Sequence, residues 1–260
     1  MGILNVTPDS FSDGGRWSGK VDAVQHALAM QAEGADIIDV GGESTRPGAQ
    51  AVSLQQELDR VIPVLEAIVP QLSVPVSIDT SKPEVMREAV AAGAGMINDV
   101  YALRQHGAVQ AVADLEVPVC LMHMQGEPRV MQDNPVYNDV GGEIRDFLLE
   151  RAQHCEQRGV LRKNILLDPG FGFGKTLEQN IELFHSVPDL VSQGYPVLVG
   201  ISRKAMIGQL TGREMSARVP GSITAAVLAA QAGAAIVRVH DVAQTQDALK
   251  VATALSCFRA

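Results

Sequence analysis

The sequence has few cysteines, no excess of basic residues and no long hydrophobic run. Its three cysteines, Cys120, Cys155 and Cys257, stand alone, and no CxxC pair occurs. Isolated cysteines are typical of buried thiols in a reducing compartment and do not form a disulfide framework. We therefore expect a cytoplasmic protein.

The charge balance and the hydrophobic pattern exclude other classes of protein. The 260 residues carry 30 acidic and 21 basic side chains, a formal net charge of −9, which argues against general nucleic-acid or membrane-surface binding. The net negative charge does not exclude an anionic substrate, because a local cluster of Arg, Lys and His can bind one. No uninterrupted apolar run is long enough to span a membrane, and the first residues lack the basic start and longer apolar stretch of a signal peptide.

Eight short apolar runs alternate with helix-like segments. The runs are rich in Val, Ile and Leu and show little alternation, which is typical of strands buried on both faces of a parallel sheet. They lie at Gly2–Val6, Ile37–Val40, Val76–Ile78, Met96–Ile97, Val117–Met122, Ile165–Leu167, Val197–Ile201 and Ile236–Val239. Helices are predicted at Lys20–Ala32, Leu54–Ile68, Pro83–Ala92, Ala108–Asp114, Val140–Arg158, Leu177–His185 and Ser222–Gln231, with a last one from Gln244. Eight such units in one chain predict a single-domain α/β (β/α)8 barrel, with a doubly wound open sheet as the alternative.

Nearly every predicted strand ends in a polar or charged residue. These residues are Asn5, Asp39, Asp79, Asn98, His123, Asp168, Ser202-Arg203-Lys204, and Arg238 with His240. In a parallel barrel all carboxyl ends of the strands lie on one face, where active sites are found. One such residue could be a satisfied polar group of the core, but polar tips on almost all strands indicate a functional site.

The residue types indicate two kinds of ligand group. Asp79, Asn98 and Asp168 suit a planar heterocycle with several N–H donors, because an ionised carboxylate accepts two hydrogen bonds side by side. Arg46, Lys204, Arg238 and His240 suit a phosphate or another anion. We expect a heterocycle deep in the pocket and an anion at its rim.

Three further motifs that could indicate a function also have simpler explanations. "DPGFGFGKT" (168–176) fails the spacing of a nucleotide P-loop, because Pro169 stands where a glycine is required, and a tight loop after strand six explains it better. "VGGESTRPGA" (40–49) is either a flexible loop or a lid over the catalytic face. His123 has no second His or Cys at zinc-ligand spacing, and the GxSxG signature of hydrolases does not occur.

Eight motifs, in order along the chain, together resemble the dihydropteroate synthase family. They are "MGILNVTPDSFSDGG", "DVGGESTRPGA", "SIDTSKPEV", "INDV", "LMHMQG", "LLDPGFGFGKT", "LVGISRKAMIG" and "RVHDV". The resemblance implies a TIM barrel, usually a homodimer, that uses Mg²⁺ and is the target of sulfonamides. It also implies the folate-synthesis reaction that joins 6-hydroxymethyl-7,8-dihydropterin pyrophosphate to p-aminobenzoate and releases pyrophosphate.

The resemblance also implies roles for individual residues. The pterin is expected to bind Asp79, Asn98, Asp168 and Lys204, with Met122 of "LMHMQG" among the substrate-binding residues. The diphosphate is expected near Thr45, Arg46, Arg238 and His240, with Asn5 serving Mg²⁺. The aminobenzoate is expected to contact Phe11, Pro47, Phe173, Lys204 and Ser202. Asp79, Lys204, Arg238 and His240 are the expected catalytic residues.

The chain departs from the family at its first residues, and two other functions fit part of the pattern. The family usually has a hairpin under the barrel before the first motif, whereas here Met1 stands inside strand one; we expect residues 1–260 to form one pterin-binding domain without that hairpin. A pterin-dependent methyltransferase domain is one alternative, although it would not need "SRK" or an aminobenzoate pocket. The other is a non-catalytic pterin-binding paralogue, which intact motifs disfavour.

Overall fold

Eight short parallel strands form the centre of the molecule in the computed structural model. The structure describes residues 1–7, 15–44, 51–126, 130–132 and 135–256, with residues 15–18 described by their backbone alone. The strands are β1 (Gly2–Asn5), β2 (Ile38–Gly41), β3 (Val76–Asp79), β4 (Met96–Asp99), β5 (Val119–Met122), β6 (Ile165–Asp168), β7 (Leu198–Val199) and β8 (Ile236–Val237).

Helices connect these strands. They are α1 (Gly15–Ala32), α2 (Leu54–Ile68), α3 (Pro83–Ala91), α4 (Ala108–Leu115), α5 (Val140–Gln157), α6 (Leu177–His185), α7 (Val187–Val191), α8 (Ala205–Thr211), α9 (Val219–Gln231) and α10 (Val242–Ser256). Two of them begin with capping boxes, in which Ser53 and Thr176 each accept a backbone hydrogen bond three residues later. Pro83 stands at the start of α3, where a missing N–H costs little.

The strands follow one another in sequence order around a ring. β1 to β6 pair as one parallel sheet and β7 pairs with β8. Single parallel bridges join the two pieces, Leu167 with Val197 between β6 and β7, and Gly2 with Val239 between β8 and β1. A doubly wound sheet would reverse its strand order part-way, so this order supports the barrel and not the open-sheet alternative.

Two layers of apolar side chains pack on opposite faces of the ring. A small inner cluster takes one residue from the start of almost every strand: Met1, Ile37, Met96, Cys120, Leu166, Leu198 and Ile236. The larger outer cluster includes Ile38, Ile78 and Leu121 and packs the strands against the helices. Both faces of the strands are therefore buried, which explains why the apolar runs show no alternation.

The inner cluster determines where the polar tips point. Side chains two residues apart in a strand lie on the same face. The residues two positions after members of the inner cluster are Ile3, Asp39, Asn98, Met122, Asp168, Gly200 and Arg238. They therefore form the next layer inside the ring, above an apolar floor, at the carboxyl ends of the strands.

The predicted elements agree with the structure at all eight strands and all eight predicted helices. The prediction missed α7 and α8, two short helices within the last three units. Cys120 and Cys155 are buried free thiols as predicted, whereas Cys257 lies outside the described residues. Among the described helices, none is both long and apolar enough to cross a lipid bilayer.

Candidate active site

A guanidinium held by two carboxylates occupies the middle of the polar layer. Arg238 donates from Nε to Asp39 Oδ2 at 2.6 Å and from Nη2 to Asp79 Oδ2 at 2.9 Å. Asn98 Nδ2 donates to the same oxygen of Asp39 at 3.0 Å. These bonds join the tips of β2, β3, β4 and β8 across the interior. They use two of the five N–H donors of Arg238, so the others can face a ligand.

Burial and mutual charge shift the pKa values of this group. Burial raises the pKa of Asp79 to about 7, although the neighbouring Arg238 opposes the shift. Burial alone would lower the pKa of Arg238, but Asp39 and Asp79 together raise it above the ordinary arginine value. The guanidinium is therefore always charged, while Asp79 can exchange a proton near neutral pH.

Asp168, at the end of β6, and Lys204, after β7, interact electrostatically in the same layer. Asp168 Oδ1 accepts a hydrogen bond from Gly170 N at 2.7 Å. Burial raises the pKa of Asp168, against the effect of Lys204. Burial lowers the pKa of Lys204 to about 8, against the effect of Asp168. Each side chain thus favours the charged form of the other in a site that water solvates poorly.

The loop after β6 positions the Lys204 ammonium. Lys204 Nζ donates to the carbonyl of Phe171 at 2.5 Å and lies 4.6 Å from the ring centroid of Phe173. Phe173 also packs on a small apolar cluster formed by Val100, Met122, Met124 and Met131. The structure therefore brings Met122, Phe173 and Lys204, three predicted substrate residues, to one side of the site.

Ser202 and His240 are also brought together. Ser202 Oγ lies 3.1 Å from His240 Nδ1 and accepts a hydrogen bond from His240 N at 3.2 Å. Arg203, between Ser202 and Lys204, instead forms an ion pair with Asp241. The middle residue of "SRK" therefore anchors the loop after β7 and leaves its neighbours on the site.

Other predicted residues lie at the rim or outside the described part of the chain. Asn5 is the last residue of β1 and is partly buried beside Gly41 of β2. Phe11, Thr45, Arg46 and Pro47 fall outside the described residues. Within the described ranges, no group of three or more His, Cys, Asp and Glu side chains could hold a metal ion.

Three groups of residues extend the site beyond the sequence prediction. Asp39 appeared among the polar strand tips without a role, and the structure places it in contact with both Arg238 and Asn98. Its inward direction follows from the spacing of two residues after Ile37. Lys175 of the glycine-rich stretch is buried beside His123, and no sequence signal distinguished it from a surface lysine.

The third group is an ion-pair network at the edge of the site. The ammonium of Lys82 binds Glu43 and the fully buried Glu57, and Thr80 Oγ1 donates to Glu57 Oε1 at 2.5 Å. Glu43 Oε1 also accepts a hydrogen bond from Val52 N at 3.0 Å. This network connects both ends of the β2–α2 connection to the tip of β3.

Comparisons with known proteins agree with this geometry. Residues 1–240 match the family model described as pterin binding enzyme. The chain is 54% identical over 254 residues to a dihydropteroate synthase of Escherichia coli strain K12, covering 98% of this chain and 90% of the relative.

The chain belongs to the dihydropteroate synthase family.

Solved structures of family members show the same fold. The dihydropteroate synthase of Xanthomonas albilineans with 4-aminobenzoic acid has 57% identity and a TM-score of 0.94, covering 98% of this chain and 92% of that one. The same Xanthomonas protein in complex with 7,8-dihydropteroate gives 54% identity and a TM-score of 0.90 at the same coverages. A Yersinia pestis dihydropteroate synthase with a sulfonamide drug has 49% identity and a TM-score of 0.94, covering 99% of this chain and 94% of that one. The predicted family and barrel fold are confirmed.

Proposed function

We propose that this chain catalyses the condensation of 6-hydroxymethyl-7,8-dihydropterin pyrophosphate with p-aminobenzoate to give 7,8-dihydropteroate and pyrophosphate. The observation that carries the proposal is the layer of polar side chains above the apolar floor of the barrel, in a member of this family. That layer offers acceptors for a heterocycle on one side and cations for a diphosphate on the other.

The pterin is assigned to the interior layer. The amino-pyrimidinone edge of a pterin presents a row of N–H donors, which the Asp168 carboxylate can accept side by side. Asn98 and Asp79 border the same space from β4 and β3.

The diphosphate is assigned to the rim formed by β1 and β8. The unused donors of Arg238 and the His240 ring are the described groups that suit it, and Arg46 and Thr45 are proposed to join them. Asn5, whose amide oxygen is a ligand type that Mg²⁺ accepts, would hold the ion at this rim. When bound, Mg²⁺ neutralises charge on the leaving group.

The amine is assigned to the side formed by Phe173, Lys204 and Ser202. Phe173 and Met122 give this side an apolar wall, while Ser202 offers a hydroxyl to the aminobenzoate carboxylate. Phe11 and Pro47 are proposed to complete the wall. A sulfonamide would occupy the same position as p-aminobenzoate.

The reaction then needs no covalent enzyme intermediate. The bond between the pterin methylene carbon and the diphosphate oxygen breaks, and positive charge develops on the methylene. The Asp79 carboxylate stabilises that charge, which is an electrostatic effect of a fixed group on a developing charge. The amine nitrogen forms the new bond to carbon and releases one proton to solvent, and dihydropteroate and pyrophosphate leave.

Two further features belong to the proposal. We propose that the protein acts in the cytoplasm as a homodimer with residues 1–260 as one domain. Retention of Ser202, Lys204 and Phe173 at one side of the site favours this function over a methyltransferase domain. Retention of the complete polar layer favours it over a non-catalytic paralogue.

The decisive assay supplies purified protein with both substrates and Mg²⁺. We expect 7,8-dihydropteroate and pyrophosphate to appear in equal amounts, and removal of Mg²⁺ by a chelator to stop the reaction. The same mixture without protein is the blank. Binding of a pterin without product would support the non-catalytic paralogue, and no binding of either substrate would refute the proposal.

A further inference from the structure

The buried ammonium of Lys175 has three neutral hydrogen-bond partners. Lys175 lies in the connection from β6 to α6, with a relative exposure of 3%. Its Nζ donates to Gly170 O at 2.8 Å and to Phe173 O at 3.0 Å, and it lies 3.1 Å from His123 Nδ1. Among the described residues, no carboxylate lies within ion-pair distance of it.

Such a group is costly to retain for stability alone. Burial of an ammonium without an ion-pair partner carries a large desolvation penalty, which the Asp168 charge offsets only in part, and an apolar side chain of similar length would avoid it. Burial, with a further effect from Lys204, lowers the pKa of Lys175 to about 7. The position of the ammonium therefore calls for another explanation.

The ammonium of Lys175 stabilises the loop after β6 through hydrogen bonds to the backbone of that loop. Gly170, Gly172 and Gly174 all have positive φ, so this loop has an unusual path. At Gly170 an added Cβ would lie 1.9 Å from the carbonyl oxygen of His123, which shows how closely the loop packs on the end of β5. Lys175 binds both ends of the turn between Gly170 and Phe173.

That turn supplies two contacts to Lys204. The carbonyl of Phe171 accepts the hydrogen bond from Lys204 Nζ, and the ring of Phe173 lies beneath the same ammonium. Displacement of the turn would therefore move a wall of the aminobenzoate side and a cation together. On the side proposed for the pterin pyrophosphate, Asp79, Asn98 and Arg238 are held by other strands, whereas Asp168 accepts a hydrogen bond from Gly170 N of the turn. That side therefore depends on the turn less than the aminobenzoate side does, where Phe173 and Lys204 both depend on it.

We propose that Lys175 is a positioning residue for p-aminobenzoate: its ammonium, seated on Gly170 O, Phe173 O and His123 Nδ1, fixes the turn that orients Phe173 and Lys204. The inference rests on the proposed function. It also assigns His123 a role, as the acceptor that binds the third ammonium proton. His123 must then carry its ring proton on Nε2.

Steady-state kinetics of Lys175→Met test the proposal, because methionine keeps the length of the side chain and removes the donors. We expect KM for p-aminobenzoate to rise about tenfold or more and KM for the pterin pyrophosphate to change less than about threefold. Gln132→Ala is the matched control, since the exposed Gln132 donates from Nε2 to Gly172 O of the same turn at 2.6 Å. We expect both of its KM values to stay near wild type.

A purely structural role gives a different result. It would lower the fraction of active Lys175→Met protein, and with it the apparent kcat, while both KM values stayed unchanged. That pattern, or an equal rise of both KM values, would overturn the proposal.

Nitrogen NMR of the wild-type protein tests the geometry even if Lys175→Met does not fold. At about pH 6 we expect the neutral Nε2–H form of His123, consistent with a pKa that burial and then Lys175 lower to about 3. A protonated Nδ1 would overturn the proposal, because that atom could not accept from Lys175. This experiment needs no turnover, so a wild-type protein that fails to condense the substrates would refute the proposed function and leave this test in place.

Discussion

The Arg238 guanidinium donates to the Asp79 carboxylate at 2.9 Å and thereby connects the tip of β8 to the tip of β3. The two strands are not neighbours in the ring, so this ion pair crosses the interior where the pterin is proposed to bind. In the free protein each member of the pair offsets the desolvation cost of the other's buried charge. A bound substrate must share these groups, which makes the pair a sensitive place to test the site.

Asp79 makes the stability of the protein depend on pH. Its folded-state pKa is about 7 against an ordinary value of 3.8, so between these values the folded state binds more protons than the unfolded state. The free energy of unfolding should therefore fall as pH rises through this window. Asp79→Asn should lack this part of the slope. Urea unfolding of both proteins at several pH values measures it, and identical slopes would contradict the assignment.

Asp168→Asn should weaken pterin binding without loss of the fold. The amide offers one acceptor oxygen and turns a donor toward the donors of the pterin, at a cost of about 1–3 kcal/mol. Isothermal titration with a pterin measures this effect. Asp146→Asn, an exposed change on α5, is the control and should bind as wild type. Equal affinity in Asp168→Asn and wild type would remove Asp168 from the pterin site.

Lys82→Met should destabilise the protein strongly. It leaves the fully buried Glu57 without its cation, and loss of one partner of a buried pair costs about 3–5 kcal/mol. The double variant Lys82→Met/Glu57→Gln should recover part of that loss. Arg87→Met, within the α3 helix that begins just after Lys82, breaks an exposed ion pair with Asp114 of α4 and should change the urea midpoint far less. Similar midpoints for the two single variants would show that the network does not stabilise the fold.

Gly170→Ala and Gly212→Ala form a matched pair. Both glycines have similar positive φ, 70° and 67°, so both substitutions carry the left-handed cost of about 1–2 kcal/mol. Only at Gly170 does the new Cβ meet another atom, the carbonyl oxygen of His123; at Gly212 nothing lies within 4 Å. Gly170→Ala should therefore be clearly less stable in thermal unfolding. Equal losses would mean that the turn after β6 can move away from β5.

The sequence predicted the strands and their polar tips because these follow from local patterns. Apolar runs of two to six residues, nearly all with Asp, Asn, Arg or His at their carboxyl end, indicate burial on both faces and a common carboxyl edge. The spacing of two residues also points Asp39 and Arg238 inward once the floor of the barrel is known. The short helix α7 directly follows α6 and has too few residues to show a helical periodicity of its own, so the sequence did not predict it.

The pairing of side chains could not be predicted in the same way. Arg238 was expected near an anion of the substrate, yet the structure shows two carboxylates of the chain itself bonded to it. The sequence predicted only that Lys175 lies in a tight loop. Its burial could not be predicted, because it depends on which carbonyl groups the folded loop turns toward the ammonium. Such contacts join residues far apart in sequence, Arg238 and Asp39 among them, and only the closed ring brings them together.

A crystal structure of the protein with 7,8-dihydropteroate tests the central claim most directly. We predict the pterin ring above the inner apolar cluster, with its amino-pyrimidinone edge in hydrogen-bonding distance of Asp168 and Asn98. The aminobenzoate end should lie against Phe173, near Lys204 and Ser202. A ligand bound in that layer with its pterin edge turned away from Asp168, or bound elsewhere on the molecule, would contradict the account.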